Sequence, residues 1–192
     1  MKIAILFLLT AMITATQPVP KPALSTTIAS DKKIYKIGEV PKIEVRIINN
    51  SKNEVFLVGS LDGSDVKWRM PYCYFTIDKP IPDPIVNMRC GNTNSLRLED
   101  FVNVKPTGQF DPYQLLDNAG FFSDYTISQK ETFRNPGTYK IRFHYSTNSN
   151  DIEKFKGRFG QWGSDSTQIK NLFEKISKVD LVSDELEIKF EK

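Results

Sequence analysis

The residues best suited to chemistry fall together at Asp62-Gly63-Ser64-Asp65, followed closely by Trp68, Arg69 and Tyr72. Two carboxylates and a hydroxyl around a glycine offer the oxygens with which a calcium loop begins, but the distal bidentate glutamate that completes such a loop is missing. A polar turn capped by its own aspartates uses the same residues. Asp62 with Asp65, or Glu99 with Asp100, could also supply the paired carboxylates of a hydrolase, whose separation in space the sequence does not fix. Trp68, Arg69 and Tyr72 add amphipathic rings and a forked cation, residue types that concentrate at the anchoring points of binding surfaces. The set from Asp62 to Tyr72 therefore reads as a binding loop, with no metal and no cofactor assigned to it.

His144 is the only histidine, so a Ser-His-Asp or Cys-His mechanism would have to use it. No Gly-x-Ser-x-Gly elbow accompanies it, and alternation along Ile141, Phe143 and Tyr145 puts it on the opposite face from them. It is expected to be a bystander on a strand. Only two cysteines are present, Cys73 and Cys90, and their spacing fits neither a zinc set nor a CxxC motif. In an exported chain they are expected to form a disulfide, contributing on the order of 3 kcal/mol by loop closure.

Export is suggested by the first residues. Lys2 is followed by an apolar run from Ile3 to Ile13 and by the small residues Thr14, Ala15 and Thr16, the order of a secretory signal peptide over 1–16. No cysteine stands at the expected cleavage point, so the lipid anchor of a lipoprotein has no residue to form on. The reading is a secreted or periplasmic protein with no stable membrane span after cleavage. A proline-rich leader over 17–23 favours an extended tether, and 24–192 is long enough for one well-buried domain. With 26 basic and 23 acidic residues, the formal charge is only +3, and the two signs are interspersed. Nucleic acid, which selects a basic patch or stripe, is set aside as a partner.

Strand patterns dominate the rest. Leu24-x-Thr26-x-Ile28 opens the domain, and Ile43, Val45 and Ile47 alternate with polar residues until Asn49-Asn50-Ser51. Val55-Phe56-Leu57-Val58 starts a third strand, and Cys73, Phe75 and Ile77 share one face of a fourth. Phe101, Val102 and Val104 form a short one. Residues 31–39 read as a crossing turn around Gly38, and 78–94 as a long proline-rich loop. Ile169, Leu172, Phe173 and Ile176 form a helical stripe that packs on the sheet. Residues 182–190 alternate cleanly and are expected to be the last strand.

The sharpest fold signal is Pro136-Gly137-Thr138-Tyr139-Lys140-Ile141-Arg142-Phe143: a turn whose glycine takes a positive φ, then an alternating strand with Tyr139 at its start. Taken with Tyr35-Lys36-Ile37-Gly38-Glu39 and Ile43-Glu44-Val45-Arg46-Ile47, it resembles secreted bacterial immunoglobulin-like modules, and Tyr139 stands where their tyrosine corner would. The resemblance covers both ends of the domain and implies an all-β, immunoglobulin-like antiparallel sandwich with a short helical insertion before the last strand. It implies no activity. Ile141 occupies the place of the second cysteine of antibody domains, so their inter-sheet disulfide is not carried over. The functional expectation is a non-enzymatic module binding a protein or glycan through residues 61–74 and 109–125. The alternatives are an inhibitor or accessory module of a secreted protease, and a hydrolase using loop carboxylates.

Overall fold

The computed structural model describes residues 22–59, 67, 69–81, 95–113, 130–157, 162 and 165–192. Ten strands follow in chain order: β1 (Leu24–Ser30), β2 (Ile34–Lys36), β3 (Ile43–Asn49), β4 (Val55–Val58), β5 (Tyr72–Asp78), β6 (Phe101–Val104), β7 (Gln109–Phe110), β8 (Gly137–Ser146), β9 (Asp180–Val182) and β10 (Leu186–Glu191). The α-helix α1 (Ser166–Phe173) lies between β8 and β9. The described chain is thus mostly β, with one α-helix. No helix among the described residues is long and apolar enough to cross a membrane.

The strands form three sheets, ordered β1-β3-β7, β2-β10-β8-β5 with β9 also on β8, and β4-β6. Every pair is antiparallel except β2 with β10. β8 is the spine of the larger sheet. Its alternation buries Tyr139, Ile141, Phe143 and Tyr145 and turns Lys140, Arg142, His144 and Ser146 the other way, the period-two pattern of a strand with one covered face. Leu24, Val45, Ile47 and Phe110 from the first sheet pack with Cys73, Phe143 and Tyr145 from the second and Leu57 and Val104 from the third. A second cluster gathers Tyr35, Phe133, Tyr139, Ile188 and Phe190, with Ile28, Ile43 and Phe75 bridging the two. The apolar stripe of α1 behaves as its spacing predicts: Ile169 and Phe173, with Ile176 beyond the helix, cover Val58, Met70, Leu96 and Phe155.

Polar side chains clasp the sheets together where ladders do not. Asn49 is fully buried. Its amide donates to the carbonyls of Asn53 (2.8 Å) and Val104 (2.9 Å), joining the end of β3 to the β4–β6 pair. The Tyr145 hydroxyl donates to the Val58 carbonyl at 2.7 Å and accepts from the Val58 N–H at 3.1 Å. Complete burial pushes that phenol far above its ordinary pKa, so it stays a neutral donor.

The corner before β8 is closed by hydrogen bonds of Tyr139. The Tyr139 hydroxyl donates to the Asn135 carbonyl at 2.9 Å and accepts from the Asn135 N–H at 3.2 Å. Gly137 has φ +134°, and a Cβ there would lie 2.6 Å from the Cβ of Pro80. Both its backbone and its neighbour exclude a side chain.

Two elements differ from the sequence expectation. The turn over 31–39 contains β2, where Tyr35 is buried and Ile34 is exposed. Three residues are too short for alternation to register, and the partner, β10, is distant in sequence. The last strand comes in two pieces, β9 and β10. Ser183 separates them: its hydroxyl accepts from the Phe143 N–H at 2.9 Å, and its own N–H donates to the Phe143 carbonyl at 2.9 Å. A side-chain oxygen there takes the role of a ladder carbonyl, which lets the chain bulge without leaving β8 unsatisfied.

Candidate functional site

The outward faces of β5, β8 and β9 meet in a groove. Register places Tyr72, Ser146 and Asp180 in one cross-strand row and Tyr74, His144 and Val182 in the next. Together with Lys67, Tyr145 and Leu181 these residues line an open cavity of roughly 370 Å³. Four of them reach it through strand alternation: Cys73 and Phe75 point into the core, so Tyr72 and Tyr74 point out, and β8 does the same for His144 and Ser146, while the side chains of Tyr145 and Leu181 pack inward.

The rings are ordered across the strands. Tyr74 and His144 stack with centroids 4.6 Å apart and planes within 1° of parallel. The Lys67 ammonium lies 5.0 Å from the Tyr74 centroid and 5.9 Å from that of Tyr72, within cation–π range of both. Lys67 itself has φ +54°, the left-handed region that few non-glycine residues occupy. The His144 Nε2 lies 2.9 Å from the Thr76 hydroxyl. Burial lowers the imidazole's pKa, and the charges of Lys67 and Arg142 lower it further, so the ring is neutral at pH 7. On β9, Asp180 accepts from the Ser146 hydroxyl at 2.6 Å and from the Asn148 amide at 2.5 Å.

The groove can therefore stack, accept and donate hydrogen bonds, and meet an anion. Among the described residues no carboxylate is hydrogen-bonded to His144, and Ser146 is turned to Asp180. Nor is any group of three His, Cys, Asp or Glu side chains among the described residues placed to hold a metal ion.

Of the residues singled out from sequence, Tyr72 lies in the groove. Asp62, Ser64, Asp65 and Trp68 lie outside the described residues, as does Cys90. Cys73 is fully buried on the inner face of β5. Arg69 is fully buried too, where its charge acts on the equally buried Asp100. Desolvation raises the Asp100 pKa, against the Arg97 N–H bond at 2.8 Å and the two arginine charges. Glu99 is exposed and pairs with Arg97 at 3.1 Å. Glu99 and Asp100 thus occupy different environments, one at the surface and one in the interior. Gly137 and Tyr139 hold the corner described above.

Sequence reasoning missed Lys67, Tyr74, His144, Asp180 and Val182 as one constellation. The available signal was phase: Tyr72 and Tyr74 alternate against Cys73, Phe75 and Ile77, and His144 against Phe143 and Tyr145. Only strand pairing brings these positions together. No protein-family model, curated protein or solved structure matches this chain.

Proposed function

We propose that the chain is an exported, non-enzymatic immunoglobulin-like β-sandwich module that holds a protein or glycan partner on the face formed by β5, β8 and β9. The immunoglobulin-like reading is supported by the apolar faces shared between the first and second sheets and by the Tyr139 hydroxyl bonded back to Asn135. Export rests on the residues of 1–16. The observation that carries the binding role is the groove itself, where rings, a cation and hydroxyls converge on a concave solvent-facing surface. It draws Lys67, Tyr72 and Tyr74 from the 61–74 stretch where sequence placed the contact.

The test uses the mature chain, immobilised and exposed to separate polysaccharide and protein fractions of the producing cell's envelope and medium. Replacing Tyr72 and Tyr74 together by Ala is expected to reduce retention of the partner by more than about tenfold, as removal of two aromatic anchors does. Equal retention by the variant would place the partner elsewhere, and turnover of a retained substrate would overturn the non-enzymatic reading.

A further inference from the structure

We infer that the groove takes an acidic saccharide, with a sugar carboxylate paired to Lys67 and the sugar ring against Tyr72 and Tyr74. This rests on the reading of the β5–β8–β9 face as the ligand surface and names the ligand's chemistry. Lys67 carries the argument. Its ammonium sits over two tyrosine rings, and no carboxylate among the described residues lies within ion-pair distance of it. The two cations of β8 are spent on a protein carboxylate: Lys140 and Arg142 both hold Glu185, at 3.1 and 3.2 Å. A cation in a concave site with no carboxylate partner among the described residues, its ammonium over two rings, is placed for an anion from outside.

The remaining lining selects a sugar over an acidic peptide. Tyr72 and Tyr74 line the groove and make no hydroxyl hydrogen bond to the described residues, and their ring bodies offer flat apolar surface to the C–H face of a pyranose. Ser146, Asp180 and the neutral His144 ring add acceptors and donors at the spacing of neighbouring strands. Asp180 lies one strand beyond β8 from the tyrosines and accepts hydrogen bonds. Sugar hydroxyls can donate to it, whereas ionised acidic side chains have no proton to donate.

The experiment titrates the mature chain calorimetrically with tetragalacturonic acid, its methyl ester and cellotetraose at low salt, and with tetraglutamate as the peptide control. The acid is expected to bind at least about tenfold more tightly than its ester, with an affinity that falls as salt rises. Lys67→Met should bring the acid down to the affinity of the ester and leave the ester unchanged, and Lys67→Arg should keep the preference. Thermal unfolding of each variant reports its folding. Equal binding of acid and ester, or an acid affinity unmoved in a folded Lys67→Met protein, overturns the inference. If Tyr72→Ala still abolishes sugar binding in that case, the groove remains the ligand face. Tetraglutamate bound as tightly as the sugar acid reassigns the groove to acidic peptide and overturns the inference. Absence of binding by all three sugars overturns it as well, and the envelope-retention experiment then judges the face separately.

Discussion

The two faces of β8 use the same residue types to opposite ends. On the inner face Tyr139 and Tyr145 are buried to 0% and 1% exposure, and each closes its hydroxyl on a backbone carbonyl, at Asn135 and Val58. Across the outer face Tyr72 and Tyr74 of β5 stand half-buried beside His144, and their hydroxyls bond to none of the described residues. An inner tyrosine is an apolar body whose polar tip must be satisfied within the protein, because an unmet buried donor costs about 1–3 kcal/mol. An outer tyrosine has water as its default partner and can exchange it for a ligand at little cost. The contrast teaches that aromatic content alone says little about binding. What distinguishes the faces is where the hydroxyl's hydrogen bond ends.

The contrast breaks most severely at the corner. Gly137→Ala forces a side chain into positive φ and against Pro80, and should cost about 3 kcal/mol or more, lowering the unfolding midpoint by roughly 6–12 °C without specific effect on ligand affinity in the folded fraction. Next, Tyr145→Phe keeps the ring but strands the buried N–H and C=O of Val58. Denaturant unfolding should show a loss of about 2 kcal/mol. The same deletion on the outer face, Tyr74→Phe, should change stability by less than about 0.5 kcal/mol, and if it matched the inner loss the two faces would not differ as described.

The smallest effect is a pH dependence. Burial and two neighbouring cations lower the His144 pKa below the ordinary 6.5, so the unfolded chain binds this proton more readily than the folded one. Stability from this group is present above about pH 6.5 and is lost as pH falls from there through the lower folded value. His144→Gln, compared with the native chain in thermal unfolding scans between pH 7.5 and pH 5, should therefore flatten the acid limb. An unchanged slope would mean that the imidazole titrates as it does in water.

Much of this contrast could be read from the sequence. Strict alternation from Gly137 to Ser146 assigned every β8 side chain to its face, and of the stripe Ile169, Leu172, Phe173 and Ile176 all but Leu172 join one buried cluster, because periodicity is a local property. The groove was hidden because it depends on register. Tyr74 and His144 stand opposite each other only through the pairing of β5 with β8, and His144 meets Val182 only because Ser183 breaks the last strand where it does. Such long-range pairing leaves a trace of phase in each strand but none of its partner. Arg69 shows what sequence leaves open: a charged residue next to aromatic neighbours resembles a binding group in sequence, and in the fold it is buried, where its charge acts on Asp100.

Asn49 and Tyr145 have a consequence for motion. Among the described residues the β4–β6 pair has one ladder, and it is fastened to the other sheets by the Asn49 amide at the β3 end and the Tyr145 hydroxyl at Val58, with the Ser177 N–H donating to the Phe56 carbonyl at 2.9 Å between them. Few fasteners on a short two-stranded element define a unit that opens together. In native-state hydrogen exchange the amides of β4 and β6 should share one opening free energy, below that of β8, and Asn49→Ala should lower it for both strands at once. Because Tyr145 lies beneath the groove with its side chain turned inward to Val58, the floor of the ligand face would then loosen in step with the β4–β6 pair, coupling local unfolding on one side of the molecule to occupancy on the other.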